Sequence, residues 1–212
     1  MENRISRAYC LRHPGEVIGH FGIVSFLRMM LGRDPDLLSV LVDRHRHHGI
    51  ALPGQPGSAY RISAIIEFRV ARIYGKLADH FADQPVVQAF FHELQNEEKQ
   101  HGHLMLFCMY TIHNHPPLKF VPTIKEPAIR RLLDRLKRVE TLIPTLTLNE
   151  ALAITAELEA SEINTIFEHL LAQANHPSTQ FFRMRFEAME GHATGIPRRI
   201  EALRMAIGRQ TH

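Results

Sequence analysis

Apolar residues recur every three or four positions along most of this chain, the spacing that lays a stripe down one side of an α-helix. Between Ala59 and about Ala82 the stripe is Ile66, Val70, Ile73, Leu77 and Phe81, and Asp83-Gln84-Pro85 breaks it. A second run, from about Val86 to Tyr110, sets Val87, Phe91, Leu94, Met105 and Cys108 on one face, and the short turn between the runs makes them antiparallel neighbours. Residues 113–127 hold four prolines and exclude a bundle helix. A short basic helix follows, Ala128 to about Leu142, with Ile129, Leu132, Leu133, Leu136 and Val139 inward. The third long helix is entered at Thr147, where Glu150 can close a capping box, and runs to near Asn175 through Leu148, Leu152, Ile163, Ile166 and Leu170. The fourth, Ser178 to Ile207, carries Phe182, Phe186, Met189, Ala193, Ile200 and Leu203, with Pro197 expected to kink it. The period therefore predicts an all-α fold. Residues 59–212 are expected to form a four-helix bundle whose second and third helices are joined by a connection long enough to cross its length.

Residues 1–58 read as an N-terminal helical extension and linker. Helices are expected near Glu16 to Leu31 and from Pro35 to about Arg46, the second capped by Asp34 with Pro35 in its first turn. The cluster Arg-His-Arg-His-His-Gly after Asp43 reads as a solvated helix end, because neighbouring arginines disfavour a cation and histidines suit the C-terminal dipole. Ala51 to Ser58, with two prolines and two glycines, reads as the linker.

Composition narrows the class. The 212 residues suffice for one sizeable core, and 45% hydrophobic with 22% charged residues is ordinary for a globular protein. The net charge is +3, and the basic runs at Arg130 to Arg138 and Arg198 to Arg209 read as solvated faces, so no nucleic-acid partner is expected. The apolar run Phe21 to Leu31 is interrupted by Arg28 and resembles neither a signal peptide nor a membrane span. Two cysteines, Cys10 and Cys108, form neither a zinc knuckle nor a redox pair, which fits a reducing, cytoplasmic setting. Fifteen histidines are the unusual feature, since imidazole is the commonest metal ligand.

The chemistry concentrates at Phe90 to His103. Glu98 and His101, three apart, fall into the apolar rows of the second helix, so a carboxylate and an imidazole point together into the core. An ionised group leaves water only when paired, protonated or coordinating, which makes this pair a metal candidate. Glu67 lies on the flank of the first helix's stripe, Glu159 at the centre of the third helix's apolar face, and Glu162 at its margin. The halves also repeat. Aligning the Phe-Phe pairs at Phe90 and Phe181 sets His101 over His192, and Glu67 precedes His101 by 34 positions as Glu159 precedes His192 by 33. Each half offers a Glu from its first helix and a His from its second.

The stretch Glu67-Phe-Arg-Val-Ala71-Arg-Ile-Tyr74-Gly-Lys-Leu77-Ala78, with Glu98-x-x-His101, resembles the ferritin-like superfamily, in particular its rubrerythrin-type di-iron carboxylate members. The resemblance covers 59–207 and implies a ferritin-like bundle with Glu67, Glu98 and His101 as ligands, Glu159 and His192 serving a second metal, and Tyr74 beside the metals as a hydrogen-bond or electron donor. The second motif departs from the pattern, because Met189 stands where a bridging Glu is usual. Glu162 is the favoured replacement; a helical bulge bringing in Glu190 or Glu187, or a one-metal or inactive site, are the others. Carboxylate-rich ligation suits two ions of iron, or manganese. The expected function is an oxidoreductase acting with dioxygen or peroxide, with room for a small organic substrate, an external electron donor in place of a four-cysteine relay, and a possible homodimer. A non-catalytic storage or assembly scaffold is the alternative. A haem-oxygenase-like oxygenase fits less well, given the repeat spacing and the long connection before the third helix.

Overall fold

The computed structural model describes residues 5–32, 36–112, 122–123, 125–160, 162–174, 177–187 and 192–210, with side chains throughout except at 162–165, 183–187, 192–194 and 210. Among these residues the structure is helical, with one isolated bridge between Ser6 and Asp36. The helices are α1 (Arg7–Arg12), α2 (Pro14–Leu31), α3 (Leu37–His48), α4 (Gly54–His80), α5 (Pro85–Thr111), α6 (Pro127–Leu142), α7 (Leu148–Glu159), α8 (Glu162–Gln173), α9 (Pro177–Glu187) and α10 (His192–Gln210), with a 3₁₀ turn at Ile143–Thr145. None of the described helices is long and apolar enough to cross a membrane.

The hairpin of α4 and α5 is the central unit. Phe81 stacks on Phe91 at 5.9 Å and Phe68 meets His103 at 5.2 Å, so numbers rise along one helix as they fall along the other, the antiparallel pairing the short turn implies. Helices α6 and α8 pack on α4, while α3, α8, α9 and α10 pack on α5. As the period implied, α6 buries Ile129, Leu132, Leu136 and Val139. Thr147 and Glu150 form the expected reciprocal capping box at the start of α7.

Four boundaries differ from the sequence expectation. Helix α3 starts at Leu37 with Asp36 as its cap, the Asp36 carboxylate accepting from the Leu38 N–H at 3.3 Å, and not at Pro35 behind Asp34; residues 33–35 lie outside the described set. Helix α4 starts at Gly54, inside the stretch read as linker. Pro56 falls in its first turn, where a missing N–H breaks no helical bond, and Gly57 lets the Leu52 carbonyl approach so closely that a Cβ there would overlap it. The third helix is two helices, α7 and α8, because Ala160 closes α7 in a turn with φ −84° and ψ 2°. Ser161, a residue type favoured at helix N-caps, was the available sign of that restart. The fourth helix is described as α9 and α10; residues 188–191 between them lie outside the described set, and Pro197 sits within α10.

The N-terminal helices share the core. Cys10, Val17, Met29, Leu37 and Leu41 are buried in one cluster with Ile66, Leu94 and Phe107. The Leu52 N–H donates to the Met109 carbonyl at 2.8 Å, tying the entry of α4 to the end of α5. At the C-terminal turn of α3, Nδ1–H groups of His47 and His48 donate to the carbonyls of Asp43 and Arg44, which is the helix-end role expected for that cluster.

Glu140 pins α6 to α4. Its carboxylate accepts from Lys76 at 2.7 Å and lies 3.8 Å from Arg72. The Lys76 hydrogen bond, opposed by partial burial and helped by the charges of Lys76, Arg72 and Arg69, holds its carboxyl below the ordinary value of 4.5. A depressed carboxyl stabilises the fold above that ordinary value and stops doing so as pH falls through the folded one. Glu140→Gln should therefore cost up to about 1 kcal/mol in urea denaturation at neutral pH. The gap to the native chain should close as pH is lowered below 4.5; a gap that persists there would mean the charge is not its origin.

Candidate metal centre

Glu67 from α4 and Glu98 and His101 from α5 converge in the hairpin seam. Each offers a ligand atom, and these atoms lie within 4.8 Å of one another, so the cluster could hold a metal ion. All three are buried. The spacing of Glu98 and His101 sets them one above the other on the inward face, Nδ1 of His101 lying 3.2 Å from Oε2 of Glu98. The His101 ring packs against Phe167 of α8 at 4.4 Å. From α7, buried Glu159 accepts a hydrogen bond from the Tyr74 hydroxyl at 2.7 Å, and Tyr74 reaches it two helical turns along α4 from Glu67.

The electrostatics are those of crowded acids. Among the described residues neither Glu67 oxygen meets a hydrogen-bond donor. Glu98 beside it only accepts while both are ionised, so a bond between them requires a shared proton. Burial first, then the Glu98 charge, a hydrogen bond with Glu98 and the Glu159 charge push the Glu67 carboxyl well above its usual range. For His101, burial works to lower the imidazole, but the charge and hydrogen bond of Glu98, with Glu159 and Glu97 behind them, outweigh it and raise the value. Burial, followed by the charges of Glu159 and Glu98, drives the Tyr74 phenol well up, so it keeps the proton it donates to Glu159.

Of the residues chosen from sequence, Glu67, Glu98 and His101 come together as one cluster, and Glu159 and Tyr74 join as a bonded pair whose charge reaches Glu67. Glu162 opens α8 and His192 opens α10, but their side chains, and that of Glu187, lie outside the described set, as do Met189 and Glu190 altogether. Sequence reasoning missed Glu97 and Arg199. Glu97 is buried one position before Glu98, and Arg199 of α10 donates to it at 2.7 Å while standing over the Phe90 ring at 5.8 Å. Arg199 thus departs from the solvated reading of the basic run; the acids Glu93 and Glu97, one turn apart on α5, were the signal that a cation would be called to that side. Burial pushes the Cys108 thiol up to about 12, so it sits in the core as a protonated thiol.

Comparison of the chain with protein-family models, with curated proteins and with solved structures finds no match.

Glu67 separates a ligand from a structural acid. Removing one partner of a structural buried ion pair costs about 3–5 kcal/mol. Glu67→Gln should instead leave chelator-treated protein within about 1 kcal/mol of the native chain, or more stable, because it removes an acid whose ionisation the fold opposes. Urea denaturation of both metal-free proteins decides the point, and a multi-kilocalorie loss would count against the ligand reading.

Proposed function

We propose that this protein is a ferritin-like carboxylate metalloprotein that binds two ions of iron or manganese and acts as an oxidoreductase on dioxygen or peroxide. The observation that carries the reading is the buried Glu67–Glu98–His101 cluster, in which Glu67 has no donor among the described residues. A cation is the partner that lets those acids ionise out of water. Two carboxylates and one imidazole form a hard donor set suited to iron or manganese, whereas structural zinc sites favour thiolates and imidazoles. In the ferritin-like arrangement, α4, α5, α7 with α8, and α9 with α10 are the four rods, and α6 lies in the crossover.

Iron or manganese held here would supply reversible electron transfer to dioxygen or peroxide. Glu67, Glu98 and His101 would hold the first ion. Glu159 would provide a carboxylate for the second, with Glu162 and His192 as its further ligands. Tyr74 donates its phenolic O–H to Glu159 Oε1 and so fixes where that carboxylate points. Phe167 against His101 and Phe91 near Tyr74 keep bulk water from this face of the seam. Electrons would come from an external donor, since the chain's two cysteines are too few for a four-cysteine relay.

Met189, standing where the repeat calls for an acid, favours a second reading in which the site is degenerate and the protein stores iron or organises an assembly. Expression with supplemented iron, followed by metal analysis, should give about two ions per chain and a near-ultraviolet band of a bridged pair on the first reading. Fewer than one ion per chain removes it. Glu98→Gln and His101→Ala should each lower metal content and peroxide turnover at least about tenfold. Cage-sized particles containing mineral, without turnover, would establish the storage alternative.

A further inference from the structure

A cleft of about 520 Å³ opens between α2, α3, α5 and α9, and it shares no residue with the metal cluster. Its volume falls in the range of small-molecule sites. One wall is cationic or basic, with Arg44 flanked by His20, His45 and His48, and no Asp or Glu lines it among the described residues. The floor is apolar, built on Phe21, Leu41 and Phe107. An amphipathic cleft of this kind asks for a ligand with a negative end and an apolar body.

The basic wall is built into the fold. Gly22 interrupts α2 with φ 80° and ψ 159°, a conformation open to glycine, and the interruption turns the Phe21 carbonyl out of the helical ladder. Nη1 of Arg44 donates to that carbonyl at 3.1 Å and to Ser25 Oγ at 2.6 Å. Both protons of one nitrogen are thereby committed and the guanidinium plane is held. Nε and Nη2 have no other hydrogen bond among the described residues and form one flat edge. His48 spends its Nδ1–H on the Arg44 carbonyl at 3.0 Å, leaving Nε2 as its second polar atom. His45 stands edge-on to Phe107 at 5.7 Å, and His20 packs against Phe181 at 4.8 Å, so the imidazoles border the aromatic floor.

We propose that this cleft binds a small organic carboxylate carrying an apolar chain or ring. The carboxylate sits on the Nε–Nη2 edge of Arg44, whose fork matches two oxygens in a plane, and the apolar body lies on Phe21 and Phe107. Free phosphate would use the guanidinium but leave the aromatic floor wet, so it is the weaker ligand.

Calorimetric titration of the full chain with 4-phenylbutyrate, its neutral counterpart 4-phenylbutanol, and inorganic phosphate tests this. The carboxylate should bind at least about tenfold more tightly than either of the others, the scale of one charge-assisted hydrogen bond. Arg44→Met should weaken it by a similar factor. Because Arg44 also braces the Gly22 break, Ile50→Glu provides a variant that leaves the brace alone: Ile50 lines the cleft yet is 85% exposed. An acid there should weaken phenylbutyrate several-fold and leave phenylbutanol unchanged, and this comparison decides the matter if Arg44→Met does not fold. Equal binding of acid and alcohol, phosphate matching the acid, indifference of phenylbutyrate to Ile50→Glu, or no saturable binding at millimolar concentration would each overturn the proposal.

Discussion

Ionised carboxylates in a low-dielectric seam lose their hydration and repel one another, and the centre of this protein is arranged around that problem. Glu67 of α4, Glu97 and Glu98 of α5 and Glu159 of α7 are all buried. The fold answers each one differently. Glu97 has the guanidinium of Arg199, Glu98 has the His101 imidazole, and Glu159 has the Tyr74 hydroxyl. For Glu67 the described residues supply no donor, and its raised proton affinity is the consequence. A proton is one way to quiet that acid, and a divalent cation drawing on Glu98 and His101 at the same time is the other.

The surrounding helices fix how near these groups stand. The short turn after α4 sets the hairpin antiparallel, and the Phe81, Phe91 and Tyr74 rings fill the seam toward that turn. Toward the other end, Tyr60 of α4 donates to the Leu170 carbonyl at 3.0 Å, anchoring α8 so that Phe167 lies over His101. The acids are therefore held by long-range packing on both sides, not by flexible loops. Rigid elements position donor atoms more closely than loops do, which is what a metal site requires.

Much of this was legible because a carboxylate on an apolar helical face has few structural excuses. Glu98 and His101 were visible from one helix alone, and Glu67 and Glu159 from the repeat between halves. The break between α7 and α8 was not, because Leu152 and Ile166 keep an apolar rhythm on both sides and periodicity does not register a single turn at Ala160. Arg199 was hidden for a different reason: its partner lies about a hundred residues away, and within its own helix it is one arginine in a basic run. The N-terminal segment, read as a helical extension and linker, places several wholly buried side chains in the common core, which its own periodicity does not announce. Proline and glycine at Gly54 to Gly57 signal a chain break in isolation and a tightly packed helix start in place.

The treatment of Glu97 bears on why the other acids are there. A chain that needed only a stable helical core could fill this seam with leucine or methionine, since apolar replacements of buried ion pairs are often neutral or stabilising. It could equally give each acid a guanidinium, as it does for Glu97 with an arginine that also covers the Phe90 ring. At Glu67 the described residues supply neither, and buried Glu67, Glu98 and His101 stand with ligand atoms within 4.8 Å of one another. Arg199 shows that covering an acid lies within reach of this fold, so the lack of a donor for Glu67 among the described residues belongs to that position and not to the architecture. A cation would give such a position a reason, because the electrostatic cost of crowding these acids would be relieved if they shared a positive charge.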